Sequence, residues 1–187
     1  MDLPPGLRLL PPLLTPEEAA EHLDALVAET AWETQTFRIY GRTMPMPRLI
    51  QMHGPHGYRY SGLLHPPRPL GPRLEGLRAR VQAATGLAFN SVLLNLYRDG
   101  ADSMGWHTDD DYPHGGQPAV ASLSLGATRR FRLRPRGGGT GVSLELEAGS
   151  LLVLAGEALT AWQHAVPRTS RPVGPRVNLT WRHMTGP

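Results

Sequence analysis

In the stretch GWHTDDD, residues 105–111, a histidine stands just upstream of three consecutive aspartates. In an extended segment His107 and Asp109 project from the same face, close enough to share one ion. Asp110 points the other way and Asp111 returns to the face of His107. A third donor candidate is His164 in WQHAV, shortly after the apolar run 150–156. Two imidazoles and one carboxylate leave three positions open on a divalent metal, a donor set suited to non-haem Fe(II). The chain has no cysteine, so disulfides and thiolate sites are excluded and any metal must be held by His, Asp or Glu.

The run RVNLTWR, residues 176–182, adds a second kind of chemistry. With a period of two, Arg176, Asn178, Thr180 and Arg182 share one face, and Val177, Leu179 and Trp181 the other. One face is core and the other is basic and hydrogen-bonding. The two arginine Cα atoms lie about 20 Å apart along such a strand, and inward-leaning side chains bring the guanidinium groups to about 8 Å. That is near the separation of the carboxylates of a short diacid. Asn95 and Tyr97 form another same-face pair, an amide and a phenol suited to a carboxylate oxygen. The plain alternative for both strands is a solvated or internally satisfied polar edge.

These residues need elements to hold them. Thr15, Pro16 and Glu18 spell a capping threonine, a proline at the first helical position and a capping-box glutamate. Leu23, Leu26 and Val27 supply the apolar stripe of a helix over 15–30. A second helix is predicted from Pro72 to about Thr85, with Leu74, Leu77 and Val81 on one face and Gly86 as its stop. After residue 88 short strands follow at 89–97, 119–126, 129–135, 142–149, 150–156 and 176–182, separated by Gly- or Pro-bearing turns. Helices first and strands afterwards predict an α+β fold, the helices bracing one sheet of a sandwich or barrel.

The 187 residues suit a single domain, and no apolar run is long enough to cross a bilayer as a helix. The N-terminal MDLPPGLRLLPPLL is broken by prolines and reads as an arm, not a signal peptide. A cytoplasmic monomer without membrane attachment is expected. All basic residues are arginine, and the net charge of +3 permits a polyanionic partner without demanding one. In RRFRLRPR, residues 129–136, Arg130, Arg132, Arg134 and Arg136 alternate with Phe131, Leu133 and Pro135. Such a stripe could track phosphates or form a solvated outer face.

The strings FNSVLLNLYRDGADSMGWHTDDD, ASLSLGATRRFRLR, GSLLVLAGEALTAWQHAVP and PRVNLTWR, spanning roughly 89–182, resemble the core of the AlkB family of Fe(II)- and 2-oxoglutarate-dependent dioxygenases, in its order. The resemblance implies a double-stranded β-helix (jelly roll) over 89–187, with N-terminal helices and a nucleotide-recognition lid over 1–88. It implies that His107, Asp109 and His164 bind Fe(II), and that Asn95, Tyr97, Arg176, Asn178 and Arg182 bind 2-oxoglutarate. O2 is the second cosubstrate, and the expected reaction is oxidative demethylation of N-alkylated nucleobases in DNA, with RNA left open.

The segment IYGRTMPMPRLIQMHGPHGYRYSG, residues 39–62, resembles the lid of the subfamily of double-strand DNA repair members. On that likeness Tyr40 fills the stack vacated by a flipped base, and Arg48 and Tyr58 contact the nucleotide. Tyr60 stacks on the extruded base with His107 on its other face. Asp111, where the family tends to carry an acid, accepts a hydrogen bond from the exocyclic amine of the base. An enzyme acting on a base in a duplex must extrude it and hold it by stacking and edge hydrogen bonds. Two alternatives stay open: a dioxygenase acting on a protein or small molecule, and a non-catalytic metal-binding β-barrel module. The paired arginines argue against the last, because a structural metal needs no diacid clamp.

Overall fold

Thr15 Oγ1 accepts a hydrogen bond from Glu18 N, and the Glu18 carboxylate accepts one from Thr15 N at 2.9 Å. This reciprocal cap opens the first helix, as its sequence requires. The second helix starts at a proline and stops at Gly86, whose φ of 72° is the left-handed conformation that glycine adopts without cost. The computed structural model describes residues 3–39, 42–56, 58–60, 63–109 and 118–186, and of 37–39, 42, 58–60 and 63–65 the backbone alone.

In chain order, β1 (Leu7–Leu10) precedes α1 (Pro16–Glu29). Then come β2 (Glu33–Ile39), β3 (Arg42–His53), β4 (Tyr58–Tyr60), β5 (Leu63–His65) and α2 (Pro72–Thr85). β6 (Ser91–Tyr97), β7 (Met104–His107), β8 (Ala119–Gly126), β9 (Arg129–Pro135), β10 (Val142–Leu146) and β11 (Leu151–Ala155) follow. The short α3 (Glu157–Thr160), β12 (Trp162–Val166) and β13 (Arg176–Arg182) complete the order. A seven-stranded sheet runs β1-β11-β8-β13-β6-β3-β2, and a four-stranded sheet runs β10-β9-β12-β7. Together they form the jelly roll, with β4 and β5 paired separately.

Two apolar layers account for the stacking. β6, β8 and β13 each send alternate residues to opposite faces. Leu94, Leu123, Leu179 and Trp181 pack with Leu26, Leu77 and Val81 of the helices. Tyr97, Val120, Phe131, Leu152 and Val166 form a second cluster that links the two sheets. The large sheet is therefore covered by helices on one face and carries the polar strand residues on the other.

Three expectations change. Strands are not confined to the region after residue 88: β1, β2 and β3 extend the large sheet, and the expected arm pairs with β11 from Leu7↔Leu154 to Leu10↔Leu151. Prolines disguised β3, since Pro45 and Pro47 sit inside it, and only its second half, Leu49–His53, bonds to β6. Val27 is 37% exposed, off the buried stripe that Ala19 and Leu26 form. Among the described residues no helix is long and apolar enough to cross a membrane.

Candidate metal centre and adjoining cavity

β7 and β12 pair antiparallel with His107 directly opposite His164. The two rings meet edge to face with centroids 4.2 Å apart. Asp109 follows β7 by two residues. Its Oδ1 lies 3.8 Å from His107 Nε2 and its Oδ2 3.6 Å from His164 Nε2. One donor atom from each of the three falls within 4.8 Å of the others, the spacing of groups that share an ion.

The surroundings prepare each donor. His107 Nδ1 lies 2.9 Å from the carbonyl of Gly105, which can only accept, so the proton resides on Nδ1 and Nε2 keeps its lone pair. Burial, helped by the neighbouring imidazole of His164, pushes the His107 pKa down to about 4, which keeps the ring neutral. Burial pushes the Asp109 carboxyl up, but Arg182 and the two histidines outweigh it and hold it well below the usual carboxylate range. Arg182 Nη2 donates to Asp109 Oδ1 at 2.7 Å. His164 is 5% exposed and stacks on Phe131, with centroids 5.1 Å apart.

The cluster opens onto a cavity of ≈ 390 Å³. The pocket-facing residues of β13 and β6 form its polar wall. Arg176, opposite Tyr97 in the β6 ladder, is 2% exposed and lies 5.2 Å from the Tyr97 ring centroid. Its Nη2 donates to Ser124 Oγ at 3.0 Å, while buried Nε and Nη1 have no hydrogen-bond partner. Burial drives its pKa down, and Tyr97 offsets this only in part. Leaving a guanidinium buried and half-satisfied is costly, and an anionic ligand would complete it. Gly126, opposite Arg176 on β8, has φ 82°, and a Cβ there would lie 2.4 Å from Pro175 O. Only glycine lets the chain turn this close to β13.

Between the two arginines the wall is hydrogen-bonded. Asn178 Nδ2 donates to Ser122 Oγ at 2.7 Å, and Thr180 Oγ1 donates to Asn178 Oδ1 at 2.9 Å. Arg48 Nε donates to Asn95 Oδ1 at 2.8 Å.

His107, Asp109, His164, Asn95, Tyr97, Arg176, Asn178 and Arg182 thus line one cavity. The arginines do not form a symmetric clamp: Arg182 is engaged with Asp109, while Arg176 holds unmet donors. Arg48, expected in the lid, lies 5% exposed in the same cavity. Tyr58 and Tyr60 begin and end β4, opposite His65 and Leu63, and the expected stacking of their rings lies outside the described residues. Tyr40, Asp110 and Asp111 lie there too. Sequence reasoning missed Phe131, Ser122, Ser124 and Leu93 as lining or supporting groups. The alternating apolar and polar residues of β6, β8 and β9 were the signal that could have found them.

The donor set fits non-haem Fe(II), and the unmet N–H groups of Arg176 fit a carboxylate. A profile described as "2OG-Fe(II) oxygenase superfamily" matches residues 6–182. The chain is 38% identical over 184 residues to "Alpha-ketoglutarate-dependent dioxygenase alkB homolog 3" of Homo sapiens, covering 93% of this chain and 64% of that protein. It thus spans less than two thirds of that relative's length. It is 39% identical over 155 residues to "DNA oxidative demethylase ALKBH2" of Mus musculus, covering 78% and 65% of the two chains. The human protein of the same name is 36% identical over 178 residues, covering 88% and 68%. The solved structure titled "The structure of OsALKBH1" superposes with a TM-score of 0.72 over 98% of this chain and all of its own. At 19% identity that likeness concerns the fold alone.

Proposed function

This chain belongs to the 2OG-Fe(II) oxygenase superfamily and is homologous to its AlkB-type members, and from that premise we propose that it oxidatively demethylates N-alkylated nucleobases in nucleic acid. The observation that carries the proposal is the meeting of the His107–Asp109–His164 cluster and the unmet donors of Arg176 in one cavity. Relatives whose names specify DNA demethylation support the choice of substrate.

His107 and His164 would hold Fe(II) through Nε2, and Asp109 through its carboxylate. Bound there with 2-oxoglutarate and O2, the metal supplies oxidation of an N-methyl group to a hemiaminal, which falls apart to formaldehyde and the restored base. An unmet N–H of Arg176 receives the far carboxylate of 2-oxoglutarate, with Ser124 and Tyr97 fixing the guanidinium plane. Asn95 and Asn178 orient the remaining oxygens, each steadied by a neighbour that uses part of its hydrogen-bonding capacity. Leu93, Val120, Leu154 and Val166 line the cavity with apolar surface and keep water out. On the sequence likeness, the base is flipped into the mouth, Tyr60 and His107 stack on it, and Asp111 reads its exocyclic amine.

The test is to incubate the protein with Fe(II), 2-oxoglutarate and DNA carrying N-methylated adenine or cytosine, then measure succinate and restored base. Equal yields of succinate, formaldehyde and repaired base are expected. Succinate without repair would point to a different substrate, and neither product would overturn the proposal.

A further inference from the structure

The basic run of β9 divides by burial. Arg130, Arg132 and Arg134 are exposed, whereas Arg129 is buried on the side of Phe131 and Leu133 and is 2% exposed. Three main-chain carbonyls fasten its guanidinium. Nη1 donates to Asp99 O at 2.9 Å, and Nη2 donates to Asp102 O and Pro167 O, both at 2.8 Å. These carbonyls belong to the β6–β7 and β12–β13 connections, which are tied to each other where Thr169 N donates to Gly100 O at 2.9 Å. Arg98 in turn holds the Asp102 carboxylate through Nε and Nη2. Arg129 is therefore a buried cation with a fixed plane, and the chemistry of the cavity does not yet employ it.

That cation lies against Tyr97. The Arg129 guanidinium carbon is 5.6 Å from the Tyr97 ring centroid, and that of Arg176 is 5.2 Å from the same centroid. One phenol ring thus meets a guanidinium anchored to the main chain and another with unmet N–H groups. The ring that steadies Arg176 is itself steadied by Arg129. Burial is the main cause that lowers the Arg176 pKa, and the Arg129 charge adds to it, so the two guanidinium groups sense one another. A carboxylate arriving at Arg176 relieves that repulsion as well as completing the buried fork. We propose that Arg129 is a positioning residue for 2-oxoglutarate, fixing the Tyr97 ring and through it the Arg176 donors that receive the far carboxylate. The proposal rests on the assignment of Arg176 to that carboxylate.

The experiment is calorimetric titration of the Fe(II) protein, without O2, with 2-oxoglutarate and with 2-oxobutyrate. The second acid keeps the 2-oxo acid head and lacks the far carboxylate. Arg129→Lys keeps the charge but presents no flat face to Tyr97. It should weaken 2-oxoglutarate about tenfold, the size of one charge-assisted hydrogen bond, and leave 2-oxobutyrate unchanged. In an Arg176→Lys background the same change should add nothing, since the residue it acts through is gone. Equal weakening of both acids, no weakening of either, or additive losses would overturn the proposal and leave Arg176 in its role. A wild type that binds the two acids equally would overturn the Arg176 assignment and this proposal with it. Should Arg129→Lys fail to fold, the wild type decides. In a proton–nitrogen correlation spectrum of the Zn(II) protein, 2-oxoglutarate should shift the Arg129 Nε–H signal and 2-oxobutyrate should not. A signal unmoved by 2-oxoglutarate, or moved alike by both acids, overturns the proposal.

Discussion

Arg182 donates to Asp109 at 2.7 Å, so the strand that presents Arg176 to the cavity also holds the carboxylate of the metal cluster. On the proposed function the two arginines of β13 have separable duties, one toward a carboxylate of the protein and one toward a carboxylate of 2-oxoglutarate.

Arg182→Gln should weaken metal binding. It removes the cation that holds Asp109 ionised against the upward push of burial. A loss of about 10–100-fold in affinity is expected, typical of groups that orient a metal ligand. Titration with Co(II), followed by its visible absorption, measures this directly, and an unchanged affinity would sever the link between the two residues.

Arg176→Gln should leave Co(II) affinity intact and raise the 2-oxoglutarate KM. Losing one partner of a buried charge-assisted pair costs about 2–5 kcal/mol, so a rise on the order of 100-fold is expected. Arg176→Lys should not restore it, because a point charge cannot replace a fork held by Ser124 and the Tyr97 ring. Steady-state kinetics with varied 2-oxoglutarate decides the matter.

Phe131→Leu should loosen His164. The stacked ring helps to set its tilt together with the His107 ring, and His164 Nδ1 is buried without a hydrogen-bond partner to share that task. A loss of about tenfold in metal affinity is expected. The stability cost should be only about 1–2 kcal/mol by denaturant melt.

Acid should weaken the ion pair that joins the two helices. Glu18 is bonded by Arg80 of α2 and by the Thr15 backbone, and its pKa is lowered to about 2. Because the folded pKa lies below the unfolded one, the stabilisation is complete above about pH 4.5 and is lost as pH falls toward 2. Thermal melts of Glu18→Gln should therefore converge on the wild type across that window, while lying below it at pH 7.

The sequence disclosed what depends on short-range spacing. The capping box at Thr15, the stop at Gly86 and the two faces of 176–182 all obey local rules, and His107 with Asp109 is a local pair. Partnerships across strands were not legible. Arg48 meets Asn95 from 47 residues away, and Phe131 meets His164 across a ladder. β7 and β12 escaped notice because they are only four and five residues long and end or centre on polar ligand residues instead of an apolar run. His164 was a candidate from its donor chemistry and likeness to a family implied its role as a ligand, whereas the register His107↔His164 shows why two distant segments supply adjacent donors.

On β13, folding and chemistry use the same alternation. A slip of one residue would turn Arg176 and Arg182 into the apolar layer beneath the helices and Trp181 into the cavity. Each stranded guanidinium would cost on the order of several kcal/mol, against a total of about 5–15 kcal/mol holding a domain together. A misthreaded copy would collapse and be cleared by proteases before it could persist as an intact protein with a dead site. The strand proofreads its own assembly.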